Sequence, residues 1–255
     1  MDRLILAGEE ARKATSIGDM PELIQINFSR SFPLFPLPGV HLLPHAQMPM
    51  RMFEPRYTAM VRDALDGSGQ IAMATFQGSA WRTEYHGNPP IRPVVCVGQI
   101  EKHESLPRGH YNILLQGICR ARIVEESMPT AERPYRTAKL MPLESNPDAT
   151  EPQLVGWRGR VRELLDSEGL AHLRLQPKIV EFFDNEEIPS HVLVELVGHL
   201  LISTQDDAER RYRLLSEADA VERAEYTEKQ LKVLESEIRR AAPQKEDWPK
   251  GQSWN

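Results

Sequence analysis

The chain has 255 residues and a net charge of −6, which disfavours general nucleic-acid binding, because displacing counterions from phosphate needs a basic face. Hydrophobic residues make up 40% and charged residues 27%, the balance of a globular protein with a buried core in one large or two modest domains. No apolar run reaches the roughly 18 residues needed to span a bilayer, and the two separate cysteines, Cys96 and Cys119, suit neither a disulfide framework nor a Cys-x-x-Cys metal or redox pair.

The first ten residues turn polar after Leu4-Ile-Leu-Ala7, too soon for a signal-peptide core, and a cytoplasmic location is expected. Residues 1–31 form an N-terminal extension, in which Met20 to Phe28 has the apolar content to pack against the β-rich region after it. Next come Phe32-Pro-Leu-Phe-Pro-Leu-Pro-Gly-Val40, Leu42-Leu-Pro44 and Met48-Pro-Met-Arg-Met-Phe-Glu-Pro-Arg-Tyr57. Prolines every two or three residues, with large apolar residues between, predict an extended segment whose backbone pairs incompletely while its side chains bury. A helix is predicted over Pro55–Leu65, with Tyr57, Met60, Val61, Ala64 and Leu65 on one face. Pro55 suits its first position, Glu54 sits where the helix N-terminus favours a carboxylate, and Gly67 and Gly69 stop it.

Strands are predicted at Gln70–Phe76, Pro93–Lys102, His110–Leu115, Cys119–Glu125 and Tyr135–Pro142. Leu106-Pro-Arg-Gly109 reads as a hairpin connection and Gly117 as a bulge or sharp bend between two strands. Cys96 and Cys119 read as small core residues. Several strands around one helix argue for a small closed or nearly closed barrel. The polar, turn-rich stretch 144–152 marks a boundary, after which helical periodicity dominates. Helices are expected at Leu154–Leu165, Lys178–Phe183 and Ser190–Ile202, with caps at Thr204/Asp207 and Ser216/Asp219. The last helix, about Glu217–Ala241, carries a seam of Ala224, Thr227, Leu231, Leu234, Ile238 and Ala241, for packing within the helical domain or, alternatively, between copies. Residues from 243 onward are expected to be disordered.

Motifs for catalysis fail on context. Gly67-Ser-Gly69-Gln-Ile-Ala72 follows a helix instead of a strand, the reverse of a dinucleotide-binding turn. Pro44 separates His41 from His45, and His103 and His110 lack a third zinc ligand. No Gly-x-x-x-x-Gly-Lys-[Ser/Thr] loop or Gly-x-Ser-x-Gly elbow occurs. No enzyme, cofactor or metal is expected.

The ordered motifs resemble the substrate-binding N-terminal domain of Lon proteases. They are Pro33-Leu34-Phe35-Pro36-Leu37-Pro38, Phe53-Glu54-Pro55-Arg56-Tyr57, Val97-Gly98-Gln99-Ile100, Gly109–Ile113, Gln116-Gly117-Ile118-Cys119-Arg120, Pro134-Tyr135, and Arg211–Asp219 followed by Arg223. Leu43 departs from the family's usual Phe, Cys119 and Ala121 replace bulkier residues, and residues 1–31 have no counterpart. The resemblance implies an α+β fold: a PUA-like β pseudobarrel over 32–145 with an inserted helix, a helical bundle over 150–242, and a tail over 243–255. It implies non-catalytic recognition of unfolded or damaged polypeptide clients. A stand-alone module is expected, since the chain leaves no room for ATPase and Ser-Lys protease parts. Pro33, Leu34, Phe35, Pro36, Leu37, Pro38, Phe53, Glu54, Pro55, Arg56, Tyr57, Gly98, Gly117 and Arg120 are the expected motif residues, chiefly scaffold, supporting and in places lining the client surface. Two alternatives stay open. One is an adaptor that joins a protease, a chaperone or itself through the C-terminal helices. The other is a barrel that binds a small ligand or RNA.

Overall fold

The computed structural model describes residues 24–85, 87–143, 147–202 and 208–241. The chain divides into two units, Met1–Ser145 with Asp207–Ala218, and Asn146–Asp206 with Asp219–Asn255.

Among its described residues the first unit contains six strands, β1 (Ser31–Leu37), β2 (Gln47–Met52), β3 (Gln70–Thr75), β4 (Val94–Leu106), β5 (His110–Ser127) and β6 (Thr137–Pro142). They lie in the order β2-β5-β4-β3-β1-β6, and a further β5–β6 pairing closes five of them into a ring. Only β1–β3 is parallel. Inside the ring, Phe32, Leu34, Val95, Val97 and Leu140 meet Ala72, Ala74, Ala121 and Ala138, so small residues make room for large ones in a narrow interior. Cys119 packs against this core, and so do Ile26 and Phe28 of the N-terminal extension. Cys96 is buried. Met20–Leu23 lie outside the described residues.

The proline-rich segment is extended as expected, and as β1 it divides its ladder. Ser31–Pro33 pair with β6, whereas Leu34–Leu37 pair with β3. Each proline therefore forgoes one bond without breaking the sheet. The residues expected as two strands, His110–Leu115 and Cys119–Glu125, form one strand of 18 residues. Within it a bulge separates the Val97–Cys119 pair from the Gly98–Gly117 pair, as the sequence allows at Gly117. The Gly117 N–H donates to the Ala46 carbonyl and its carbonyl accepts from the His45 N–H, both at 2.8 Å. A Cβ there would collide with the Leu43 carbonyl, so only glycine lets residues 43–46 cross so close to β5 and launch β2. At the β4–β5 connection, Arg108 and Gly109 both take positive φ.

Helix α1 (Pro55–Leu65) runs as the sequence predicts and buries Tyr57, Met60, Val61 and Ala64. The Gly69 N–H closes it by donating to Ala64 at 2.7 Å. After β3 comes a single helical turn, α2 (Trp81–Glu84).

The second unit holds α3 (Pro147–Leu165), α4 (Gln176–Asp184), α5 (Ser190–Val197, continued by a π turn over Gly198–Ile202) and α7 (Ala220–Ala241). Its core joins Leu154, Trp157, Val161 and Leu165 to Ile179, Phe183, Leu193, Val197, Ala224 and Leu231. Arg158 gathers the open carbonyls at the end of α4, donating to Phe183 at 2.6 Å, Asn185 at 2.7 Å and Ile188 at 2.7 Å. The Glu151 carboxylate accepts from the Ser190 N–H at 2.7 Å, capping α5 from a neighbouring helix. The seam residues Ala224, Thr227 and Leu231 are buried, and Leu234 and Ile238 pack partly against the same core. The last helix is capped by Asp219, whose carboxylate accepts from the Val221 N–H at 2.7 Å, rather than by Ser216, which ends the preceding helix. The Thr204/Asp207 cap and the tail after residue 243 lie outside the described residues.

In chain order, α6 (Ala208–Ser216) falls among the helices of 150–242, but it belongs to the first unit. There Arg120, fully buried on β5, donates to the Leu214 carbonyl at 3.2 Å. The Val94 N–H donates to the Tyr212 hydroxyl at 3.1 Å, and Arg211 donates to the Gly39 carbonyl at 3.1 Å. No described helix is long and apolar enough to cross a membrane.

Candidate functional site

Strand β2 meets β5 along one margin only, and among the described residues no strand pairs with the other. Beside that open margin lies an open cleft. Its lining comes from three neighbouring pieces: Phe35 and Leu37 of β1 with Val40 just beyond, Met48–Met52 of β2, and Phe53, Glu54 and Tyr57 at the start of α1. Met52, Phe35 and Tyr57 are buried, Met48 and Met50 are half-buried, and Phe53 is 42% exposed at the rim. Methionine is unbranched and polarizable, so three of them make a wall that reshapes around differing apolar side chains.

The far wall is rigid by contrast. The Tyr57 ring stands edge-on to Phe35 with centroids 4.6 Å apart. The Arg56 guanidinium lies 4.5 Å from the centre of the Tyr57 ring and 5.0 Å from that of Tyr85. Arg56 pairs with Glu54 at 3.0 Å, and the Tyr85 hydroxyl donates to the other oxygen of the same carboxylate at 2.7 Å. Burial, then this bond to Glu54, pushes the Tyr85 hydroxyl up to about 12. Burial likewise raises Tyr57 well above the usual tyrosine range. Both phenols thus stay neutral at physiological pH, and the Glu54 charge is balanced within the network.

The motif residues separate into groups. Phe35, Leu37, Phe53, Glu54 and Tyr57 line the cleft. Arg56 braces Glu54, Pro36 offers its carbonyl to the Tyr57 hydroxyl at 3.5 Å, and Pro55 opens α1. Pro33 and Leu34 belong to β1, where Leu34 enters the barrel core, and Pro38 follows that strand. Gly98, Gly117 and Arg120 do not line the cleft. A Cβ on Gly98 would press on Leu115, while Gly117 and Arg120 fix the 43–46 crossing and α6. The sequence places the whole motif stretch from Phe32 to Tyr57 in support of a client surface, and Val40 and Met48–Met52 within it line the cleft beside the named motif residues. Met48-Pro-Met-Arg-Met52 alternates with period two, but Pro49 leaves it readable only as an extended segment and not as a paired strand.

A second polar cluster sits on the first unit. His41 is buried, its ring 5.7 Å from that of Tyr212, with Arg211 and Arg92 nearby. Arg92 covers the Tyr212 ring at 4.3 Å and pairs with Glu209. Burial first, then the two arginines, lowers His41 to about 3, so it is a neutral packed residue at physiological pH. Among the described residues, no three His, Cys, Asp or Glu side chains are placed to hold a metal ion.

No curated protein matches the sequence. In fold the chain is similar to the N-terminal domain of Mycobacterium avium complex Lon protease, with TM-score 0.56 and 16% identity over 81% of this chain and 98% of that one. A Lon N-terminal domain protein from Xanthomonas campestris also matches, with TM-score 0.49 and 20% identity over 77% and 95% of the two chains. The family model of the ATP-dependent protease La (LON) substrate-binding domain matches residues 31–233, which take in the whole barrel and most of the helices, and the chain belongs to that family.

Proposed function

We propose that the chain is a non-catalytic module that binds unfolded polypeptide, and that the methionine cleft beside β2 receives the client's apolar side chains. The observation that carries this is the cleft itself: an open, mostly apolar slot with three methionines on one wall, at the unpaired margin of a sheet. Folded proteins keep such side chains inside, so a slot of this kind discriminates by folding state before it discriminates by sequence. Burying one leucine or methionine supplies about 1.5–3 kcal/mol, and ordering an extended client opposes it. One occupied cleft therefore holds a client weakly, with fast exchange. The rival reading, association through the last helix, has less support, because Ala224, Thr227 and Leu231 of its seam are buried in the helical core.

The test is a fluorescence titration of the protein against a permanently unfolded, labelled polypeptide and its folded counterpart. Saturable binding of the unfolded form alone is expected. Met50→Glu, at a half-buried position in the cleft wall, should weaken that binding about tenfold, the equivalent of 1.4 kcal/mol. Equal binding by wild type and Met50→Glu would remove the cleft from the reading.

A further inference from the structure

The phase of the β2 ladder decides what its open margin offers. The Gly117 N–H donates to the Ala46 carbonyl, and the register from Gln47 opposite Gln116 to Met52 opposite Tyr111 continues from that pair. In an antiparallel ladder alternate residues turn their backbone to the partner. Met48, Met50 and Met52 therefore bond to β5, and Gln47, Pro49 and Arg51 turn their backbone outward. Pro49 agrees with this phase, since an edge strand admits proline where its nitrogen faces away from the ladder. Outside β2 itself, the outward N–H and carbonyl groups of these three residues meet no hydrogen-bond partner among the described residues.

Side chains alternate with the same period. Met48, Met50 and Met52 form the cleft wall, while Gln47, Pro49 and Arg51 belong to the opposite face. There Gln47 donates to Glu101 at 2.7 Å, and Arg51 stands across from Asn112, which donates to Glu104 at 2.9 Å. Pro49 and Arg51 nevertheless line the cleft, so what they bring to it is main chain. Unmet backbone groups and a methionine wall thus lie side by side along one strand.

We propose that the client binds as an added strand, antiparallel to β2, with every second side chain apolar and laid in the methionine cleft. This rests on the polypeptide-binding reading above and adds backbone recognition to it. Client residues opposite Gln47 and Arg51 exchange both hydrogen bonds with them, and the residue opposite Pro49 donates to its carbonyl. The client residues in between, opposite Met48 and Met50, turn their side chains onto the cleft. Their own N–H groups point away from β2 and are not needed. A parallel client of the same length reaches neither the Gln47 N–H nor the Arg51 carbonyl, which decides the direction.

A labelled peptide with an internal Thr-Leu-Thr-Leu-Thr core, N-methylated at one position at a time, tests the idea by anisotropy titration. Methylation at a threonine removes a donor aimed at β2 and should weaken binding about fivefold, the equivalent of one net hydrogen bond. Methylation at a leucine should leave the affinity nearly unchanged. Pro49→Ala supplies the missing N–H and should tighten the unmodified peptide by about the same factor, with circular dichroism checking the fold. Equal affinities across the methylated series would overturn strand addition and leave side-chain capture standing. Losses at the leucines alone would overturn the antiparallel direction. Unchanged affinity in a folded Pro49→Ala protein would remove the β2 margin from the contact. No binding of the unmodified peptide by a monomeric protein would overturn both this inference and the reading it rests on. No binding by a protein that sediments as a dimer would assign the margin to a second copy of β2 and overturn this inference alone.

Discussion

Gly117 has no side chain because the Leu43 carbonyl occupies the space that a Cβ would need, and backbone cannot step aside as a side-chain tip can. Gly117→Ala should cost about 3 kcal/mol, the upper end for overpacking, and should appear as a lowered urea midpoint of the first unit. His41 gives a different dependence. Its folded value of about 3 lies below the ordinary 6.5, so below pH 6.5 the unfolded chain takes up a proton that the folded chain refuses. The stability involved is complete above pH 6.5 and falls by about 1.4 kcal/mol per pH unit as the pH drops toward the folded value. Carboxylates titrate lower, so between pH 6.5 and pH 5 the wild type should lose thermal stability that His41→Leu keeps. Parallel losses in both proteins would show that His41 is not the group responsible. Neither role is evident from the residue itself. A glycine within a β-rich run reads as a bulge or bend without telling which backbone crosses it, and a histidine four residues from another invites a metal, until the tertiary neighbours are known.

At the scale of elements, legibility follows how local the cause is. Helix α1 was readable at both ends, because Pro55 at its first position and the glycines after Leu65 act within a few residues. The β4–β5 connection was readable for the same reason. The ladder of β1 was not, since Pro33 and Pro36 are tolerated only because β6 and β3 each take half of the strand. The amphipathic pattern of α6 says that one face is buried, and nothing in it says that the face meets β4 and the Arg120 guanidinium. Ser216 with Asp219 three residues on fits the pattern of a capping hydroxyl and its acid partner, but the geometry makes Asp219 itself the cap. In the helical unit, α5 and α7 are joined by the buried pair of Glu195 and Arg223 at 2.8 Å. Arg223→Met strands a buried carboxylate and should cost roughly 3–5 kcal/mol, whereas Arg223→Met with Glu195→Leu should recover most of it. Thermal melts of the single and double variants check this. A double variant no more stable than the single would mean that packing around the arginine, and not its charge, holds the two helices.

At the scale of the whole molecule, the order of motifs anticipated the α+β plan of strands then helices, but the cleft was hidden. It exists only where β1, β2 and the start of α1 converge, and five of its eleven lining residues come from Met48–Met52, a run whose strand character Pro49 disguises. On the proposed reading this convergence receives the apolar side chains of unfolded polypeptide. The nine methionines supply the probes for it. With methyl-labelled methionine, the NMR signals of Met48, Met50 and Met52 should shift as an unfolded polypeptide is added. Met60 and Met73, buried in the first unit, should stay in place, and so should Met128 and Met141, which are exposed elsewhere on it. Shifts at Met128 or Met141 with Met48–Met52 unmoved would place client binding on another face and contradict the account.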